Sequence, residues 1–170
     1  MLTNRGAVLV TFLFSLAINA AFAPLGMMDF NHEAALFMPA VDLVDGKMLF
    51  RDSFSQYGPV PVVLMALAMS AFGKYVLVTK LQVALLYAIA SVALYASWRP
   101  IIGVRAALLS VIVWNLLTYH FLHVFLAWAS SYALVFQCVG LYFVVQFTVS
   151  GNRALLVGVG VSAMLTILSK

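Results

Sequence analysis

The sequence predicts an all-α protein, a polytopic transmembrane helix bundle with about five spans and with amphipathic juxtamembrane helices in its first outer loop. Hydrophobic residues make up 65% of the chain and charged residues only 8%. Several apolar runs reach or approach the roughly 20 residues that a helix needs to cross a bilayer. These runs do not alternate between polar and apolar residues, which favours helices over the strands of a barrel.

The predicted spans belong to a single membrane domain over residues 1–170. The first helix lies within 1–26, an outer loop covers 27–74, and four further helices occupy 75–170. The spans themselves are residues 6–25, 75–97, 104–121, 131–149 and 154–169. The apolar run 59–72 has about 14 residues and fits an interfacial or re-entrant helix better than a span. Ala21-Phe22-Ala23 resembles a signal-peptidase site, but Pro24 would follow the cut, so we expect the first helix to be retained.

The distribution of basic residues orients the chain. Suppose that residues 59–72 do not cross the membrane and that the N-terminus is cytoplasmic. Four arginines then fall on the cytoplasmic side, as the positive-inside rule predicts. They are Arg5, Arg99, Arg105 and Arg153. Lys47, Arg51, Lys74 and Lys80 then lie outside. We therefore expect a protein of the plasma (inner) membrane with an extracytoplasmic loop. The net charge of +4 comes from residues near segment ends, so nucleic acid is not an expected partner.

All the carboxylate side chains of the chain fall in the outer loop. They are Asp29, Glu33, Asp42, Asp45 and Asp52. Transport pathways usually place ionisable groups within the spans, and the predicted spans contain no Asp or Glu. This pattern favours chemistry at the membrane surface. The alternative is a non-enzymatic membrane subunit, such as a lipid-sugar flippase or a transporter component.

The first part of the loop is predicted to be a helix. Asn31 is a candidate N-cap, and Glu33 in the first turn would be stabilised by the helix dipole. Glu33 also leads an apolar stripe that continues through Phe37 and Val41, where desolvation would make it a better base. Pro39 is expected to kink or divide this helix, and Gly46 is expected to end it.

The order of motifs in the loop resembles a known family. His32-Glu33, an apolar helix, DLVDGKMLFRD, SQYGPV and a helix ending in Phe72-Gly73 resemble the first extracytoplasmic loop of the GT-C fold glycosyltransferases, which include the protein mannosyltransferase and aminoarabinose transferase groups. The resemblance is dense over residues 29–73 and topological elsewhere. It implies a glycosyltransferase that moves a sugar from a polyprenyl-phosphate-linked donor to an acceptor at the extracytoplasmic face.

The resemblance also implies roles for individual residues. Glu33 matches the second acid of the family's acidic pair, and His32 stands where the first acid is often found, so the catalytic base is one of Asp29, His32 and Glu33. The base would take the acceptor's proton, the acceptor oxygen would attack the anomeric carbon, and the lipid phosphate would leave. Cations would stabilise that phosphate. The implied substrate-binding residues are Arg51, Asp52, Tyr57 and Lys170; a local ion pair between Arg51 and Asp52 is the alternative for that pair.

Neither a metal site nor a resident cofactor is expected. His120 and His123 have a spacing that could present two imidazoles to a divalent ion, but no acid lies near them in sequence, and aromatic-belt residues explain the segment equally well. The expected partners are membrane lipid and the polyprenyl-phosphate sugar donor. The family's membrane module has more spans, so we expect this chain to be its N-terminal portion, completed by further spans or a partner subunit.

Overall fold

The computed structural model describes residues 4–25, 30–121 and 128–170, and every element in these ranges is helical. A short 3₁₀ turn, Ala23–Leu25, follows the first helix. The α-helices, in chain order, are α1 (Asn4–Phe22), α2 (Phe30–Val44), α3 (Pro59–Phe72), α4 (Val76–Phe121), α5 (Ala129–Ser150) and α6 (Leu155–Ile167). The all-α prediction is therefore confirmed, and α3 has the bounds expected from the sequence.

Three of the described helices are long and apolar enough to cross a membrane. They are α1 over Arg5–Phe22, α4 over Val76–Leu117 and α5 over Ala129–Ser150. The count differs from the five predicted spans for two reasons. The predicted spans 75–97 and 104–121 both fall within α4, and α6 has 13 residues, which gives a length of about 20 Å, less than the ~30 Å hydrocarbon core.

Helix α4 is two antiparallel arms that meet at Gly103. In one straight helix Ser91 and Asn115 would be about 36 Å apart, yet Asn115 Nδ2 donates to Ser91 Oγ at 3.2 Å. The reversal occurs at Gly103, whose φ of 80° and ψ of 168° lie in a region that is essentially restricted to glycine. We call residues 76–102 the first arm and residues 104–121 the second arm.

A cluster of buried polar side chains joins α1 to both arms. Ser15 Oγ donates to Asn115 Oδ1 at 2.7 Å and lies 2.8 Å from Ser91 Oγ. Asn19 Nδ2 donates to Asn115 Oδ1 at 3.0 Å and to the Ser15 carbonyl at 2.7 Å. All four residues are at least 95% buried. In lipid the hydrophobic effect does not drive apolar helices together, so hydrogen bonds between helices contribute to their association.

Replacing Asn115 by Leu should destabilise the bundle by about 2 kcal/mol, because Asn115 makes three bonds to other segments and each is worth about 0.6 kcal/mol in membrane proteins. Unfolding in detergent with increasing SDS would measure the loss. Ser110→Ala is the matched control in the same arm, since Ser110 bonds only to the carbonyl of Ala106. Equal stability of N115L and S110A would contradict the assigned role.

The main apolar core lies towards one end of the bundle, where α2 and α3 pack onto α4 and α5. Leu36 and Ala40 of α2 and Met65 of α3 are fully buried there, together with Tyr132 of α5. Gln82 of the first arm links three helices, since its amide donates to the Leu64 carbonyl at 2.6 Å and its carbonyl accepts from Tyr132 at 3.1 Å. Helices α2 and α3 are thus integral parts of the packed bundle.

The opposite end of the bundle carries four of the five arginines. Ala7 of α1 packs with Tyr95 and Ala107 of α4, so the start of α1 lies beside the turn at Gly103. Near the end of α5, Gln146 donates to the Ala96 carbonyl at 3.3 Å, which places that end there too. These contacts place the following arginines at this end: Arg5, Arg99, Arg105 and Arg153. We call this the basic end, and the end that carries the loop between α2 and α3 the acidic end.

Candidate functional site

The candidate site lies at the acidic end and begins where α2 stops. Gly46, with φ of 84°, follows α2, its N–H donates to the Leu43 carbonyl, and the Lys47 N–H donates to the Asp42 carbonyl at 3.0 Å. This is a Schellman motif, which confirms Gly46 as the residue that ends the helix. The helix continues through Pro39 without being divided. The expectation that Asn31 is the N-cap is wrong, because Asn31 lies inside a helix that already includes Phe30.

Asp42 organises the loop that follows α2. Its carboxylate accepts bonds from Lys47 Nζ at 2.7 Å and from the Ser53 hydroxyl at 2.6 Å. These bonds, that of Lys47 first, lower the pKa of Asp42. Asp45 forms an ion pair with Lys74, which ties the end of α2 to the connection between α3 and α4. Both carboxylates therefore hold the loop in place, and Asp42 remains ionised at neutral pH.

Arg51 and Asp52 form a local ion pair, which the sequence analysis gave as the alternative to a substrate-binding role. Arg51 Nε and Nη2 contact the two carboxylate oxygens at 2.9 and 2.8 Å, and the Met48 N–H also donates to Asp52 at 2.9 Å. The bond from Arg51 and then that from Met48 lower the pKa of Asp52. Phe50 and Phe54, the aromatic neighbours of this pair, are 59% and 81% exposed. The loop therefore presents exposed aromatic groups next to an ion pair.

Two predicted substrate-binding residues, Tyr57 and Lys170, meet at Trp128 although they are distant in sequence. Trp128 Nε1 donates to the Tyr57 hydroxyl at 3.0 Å. Lys170 Nζ lies 5.8 Å from the centroid of the Trp128 ring, within cation–π range, and donates to the Ser130 hydroxyl at 2.6 Å. We call Tyr57, Trp128, Ser130 and Lys170 the Trp128 cluster. It presents an ammonium group between an indole and a hydroxyl.

The backbone around Gly58 holds this cluster together. The Val60 N–H donates to the Leu168 carbonyl at 3.2 Å. A Cβ atom on Gly58 would lie 2.0 Å from the same carbonyl oxygen, so only glycine allows this approach. The start of α3 and residues 168–170 are therefore in direct backbone contact, which fixes Tyr57 relative to Lys170.

The structure describes the predicted catalytic residues, and the two histidines considered as metal ligands, only in part. Asp29 and His123 lie outside the described residues. His32 and Glu33 fall in the first turn of α2, and His120 falls near the end of α4, but the described part of the structure does not include their side chains. Among the described side chains, no three His, Cys, Asp or Glu residues come together as a metal site would require.

No family model, curated protein or solved structure matches this chain.

Lys80 is a buried charged residue that sequence reasoning did not select. It lies in the second turn of α4 and is only 6% exposed. Burial of an ammonium group is costly unless a compensating group accompanies it. Gln82, two residues later, is bonded to α3 and α5 at the acidic end. Lys80 is therefore a buried cation near the acidic end, and its signal in the sequence is a charge inside the apolar run VLVTKLQV.

Proposed function

We propose that this chain is part of a GT-C-type glycosyltransferase that moves a sugar from a polyprenyl-phosphate-linked donor to an acceptor at the extracytoplasmic membrane face. Asp29, His32 or Glu33 acts as the base that removes the acceptor's proton. Lys170 and Arg51 stabilise the lipid phosphate as it leaves, and Asp52 and Tyr57 position these groups. A further membrane module or a partner subunit completes the site.

The observation that carries the proposal is the Trp128 cluster. A lipid-linked sugar phosphate presents an anion at the membrane boundary, flanked by a sugar and by an apolar chain. Lys170 offers the cation, while Trp128 and Tyr57 offer flat amphipathic surfaces of the kind found at membrane interfaces and in sugar contacts. The exposed Phe50 and Phe54 in the neighbouring loop suit an apolar chain. This combination supports a lipid-phosphate site better than it supports an ion pathway.

The five-span topology belongs to the same proposal. The two arms of α4 each cross the bilayer. Helix α6, extended by residues 168 and 169 through bonds to the Met164 and Thr166 carbonyls, is about 22 Å long and crosses where the bilayer thins to match it. With the basic end in the cytoplasm, Arg5, Arg99, Arg105 and Arg153 lie on the inner side, as the positive-inside rule predicts, and Arg51 and the lysines lie on the outer side. The acidic end is then extracytoplasmic, where the donor's phosphate and a polar acceptor can meet.

Lys170→Gln should lower kcat/KM for the lipid-linked donor about tenfold or more, because a bond to a charged group contributes roughly 1.5–3 kcal/mol. Release of polyprenyl phosphate from labelled donors in native membranes would measure this. Lys74→Gln is the matched control, since Lys74 pairs with Asp45 elsewhere in the loop. Equal rates for K170Q and wild type would remove Lys170 from the site. Movement of donor lipid across the membrane without sugar transfer would favour the flippase subunit instead.

A further inference from the structure

A groove at the basic end is not used by the proposed reaction. It lies between α1 and the first arm of α4 and has a volume of about 440 Å³, within the range of small-molecule sites. Its lining comprises one stripe of α1 and two residues one turn apart on α4: Arg5, Val8, Leu9, Phe12, Ile89 and Val92.

The lining is apolar except at one end. Leu9 and Ile89 remain 57% and 41% exposed, so the groove opens on the outer surface of the bundle and not towards its core. Arg5, at the start of α1, supplies the only charged side chain of the lining, and it is exposed. The groove therefore has the shape of an acyl-chain channel with a cation at its mouth.

The electrostatic setting of Arg5 favours an anion. Every carboxylate side chain of the sequence lies within residues 29–52, and the carboxylates that the structure describes are at the acidic end. Arg99 and Arg105 flank the turn at Gly103, beside the start of α1. The charge at this end of the groove is therefore positive, and none of the described acidic side chains lies at the same end of the bundle to offset it.

We propose that this groove binds one acyl chain of an anionic bilayer phospholipid, with the lipid's phosphate against Arg5. Packing in the groove holds the acyl chain but does not favour one phospholipid over another, because the chains of both are equally apolar. Selectivity comes from the headgroup, and one arginine near the surface gives about fivefold preference for an anionic lipid. The charge of the headgroup therefore determines which phospholipid binds, and the shape of the groove determines where its acyl chain lies.

Native mass spectrometry of the full chain tests this with dioleoyl phosphatidylglycerol and dioleoyl phosphatidylcholine at equal concentration. Wild-type protein should retain the anionic lipid about fivefold more, and Arg5→Gln should reduce that ratio to near one. Arg153→Gln, at the same end but outside the groove, should leave the ratio unchanged. Leu9→Trp, which fills the groove from its exposed side, should lower retention of both lipids. Circular dichroism confirms that each variant is folded.

Three results would overturn the proposal. Equal loss of preference in R5Q and R153Q would mean a diffuse attraction to the whole basic end. Unchanged retention in L9W would mean that the acyl chain does not occupy the groove. Displacement of phosphatidylglycerol by an equimolar amount of polyprenyl phosphate would mean that the groove holds the carrier lipid and not a bilayer phospholipid.

Discussion

Amide replacement of the acids at the start of the outer loop should lower the rate of sugar transfer by about 10²–10⁴-fold, because that is the usual contribution of a positioned general base. The variants are Asp29→Asn and Glu33→Gln, with His32→Gln as the third member of the set. The one that acts as base should lose the most in kcat, while membrane insertion stays intact. Transfer of labelled sugar from a polyprenyl-phosphate donor in native membranes measures all three.

The same loop supplies matched controls for this experiment. Asp42→Asn and Asp45→Asn make the same chemical change at carboxylates that are bonded to Lys47 and Lys74. We expect these variants to affect transfer far less than the change at the base. Full activity of D29N, H32Q and E33Q together would refute the proposed reaction, and a similar loss in all five variants would indicate a general effect on the loop.

Gly58→Ala should separate the start of α3 from residues 168–170. The backbone of Gly58 is extended, with φ of −62°, so alanine fits the local conformation. The obstacle is steric, because the new methyl carbon would lie 2.0 Å from the Leu168 carbonyl oxygen. Overpacking of this kind costs about 1–3 kcal/mol. We expect a lower thermal midpoint in detergent and a change in Trp128 fluorescence, read in a background where Trp98 and Trp114 are replaced by Phe.

Gly160→Ala is the control for the Gly58 variant. Gly160 lies in α6, and a Cβ atom there meets no atom within 4 Å, so alanine should be neutral or should stabilise the helix by roughly 0.5–1 kcal/mol. If G58A were as stable as G160A and left the Trp128 signal unchanged, the backbone contact would not be what positions Tyr57 against Lys170.

Sequence rules for helix ends predicted the bounds of α3 and the end of α2. Pro59 at the first position of a helix and Gly73 after its end gave the bounds of α3, and Gly46 ended α2 as the turn chemistry requires. Gly103 shows the limit of such rules. A glycine between apolar runs predicts a break, but the approach of Ser91 to Asn115 that proves a reversal depends on contacts between distant residues.

The candidate site was only partly predictable for the same reason. Tyr57 was selected within the SQYGPV element of the resemblance, and Lys170 was selected as a cation on the predicted outer side. Their meeting at Trp128 depends on how α3, α5 and the end of α6 pack together, which no local pattern specifies. The burial of Lys80 likewise follows from packing of the acidic end, since the sequence alone shows only a lysine near a helix start.

On the topology proposed above, in which each arm of α4 is a span, the reversal at Gly103 also bears on how the chain enters the bilayer. Since the polypeptide turns over one non-helical residue, the two arms of α4 have no intervening loop that could wait at the surface while the second arm is synthesised. The arms should therefore leave the insertion machinery laterally as a pair, with Ser91 and Asn115 already matched. Their polar side chains then enter lipid with partners in place, and neither arm has to be stable in the membrane alone.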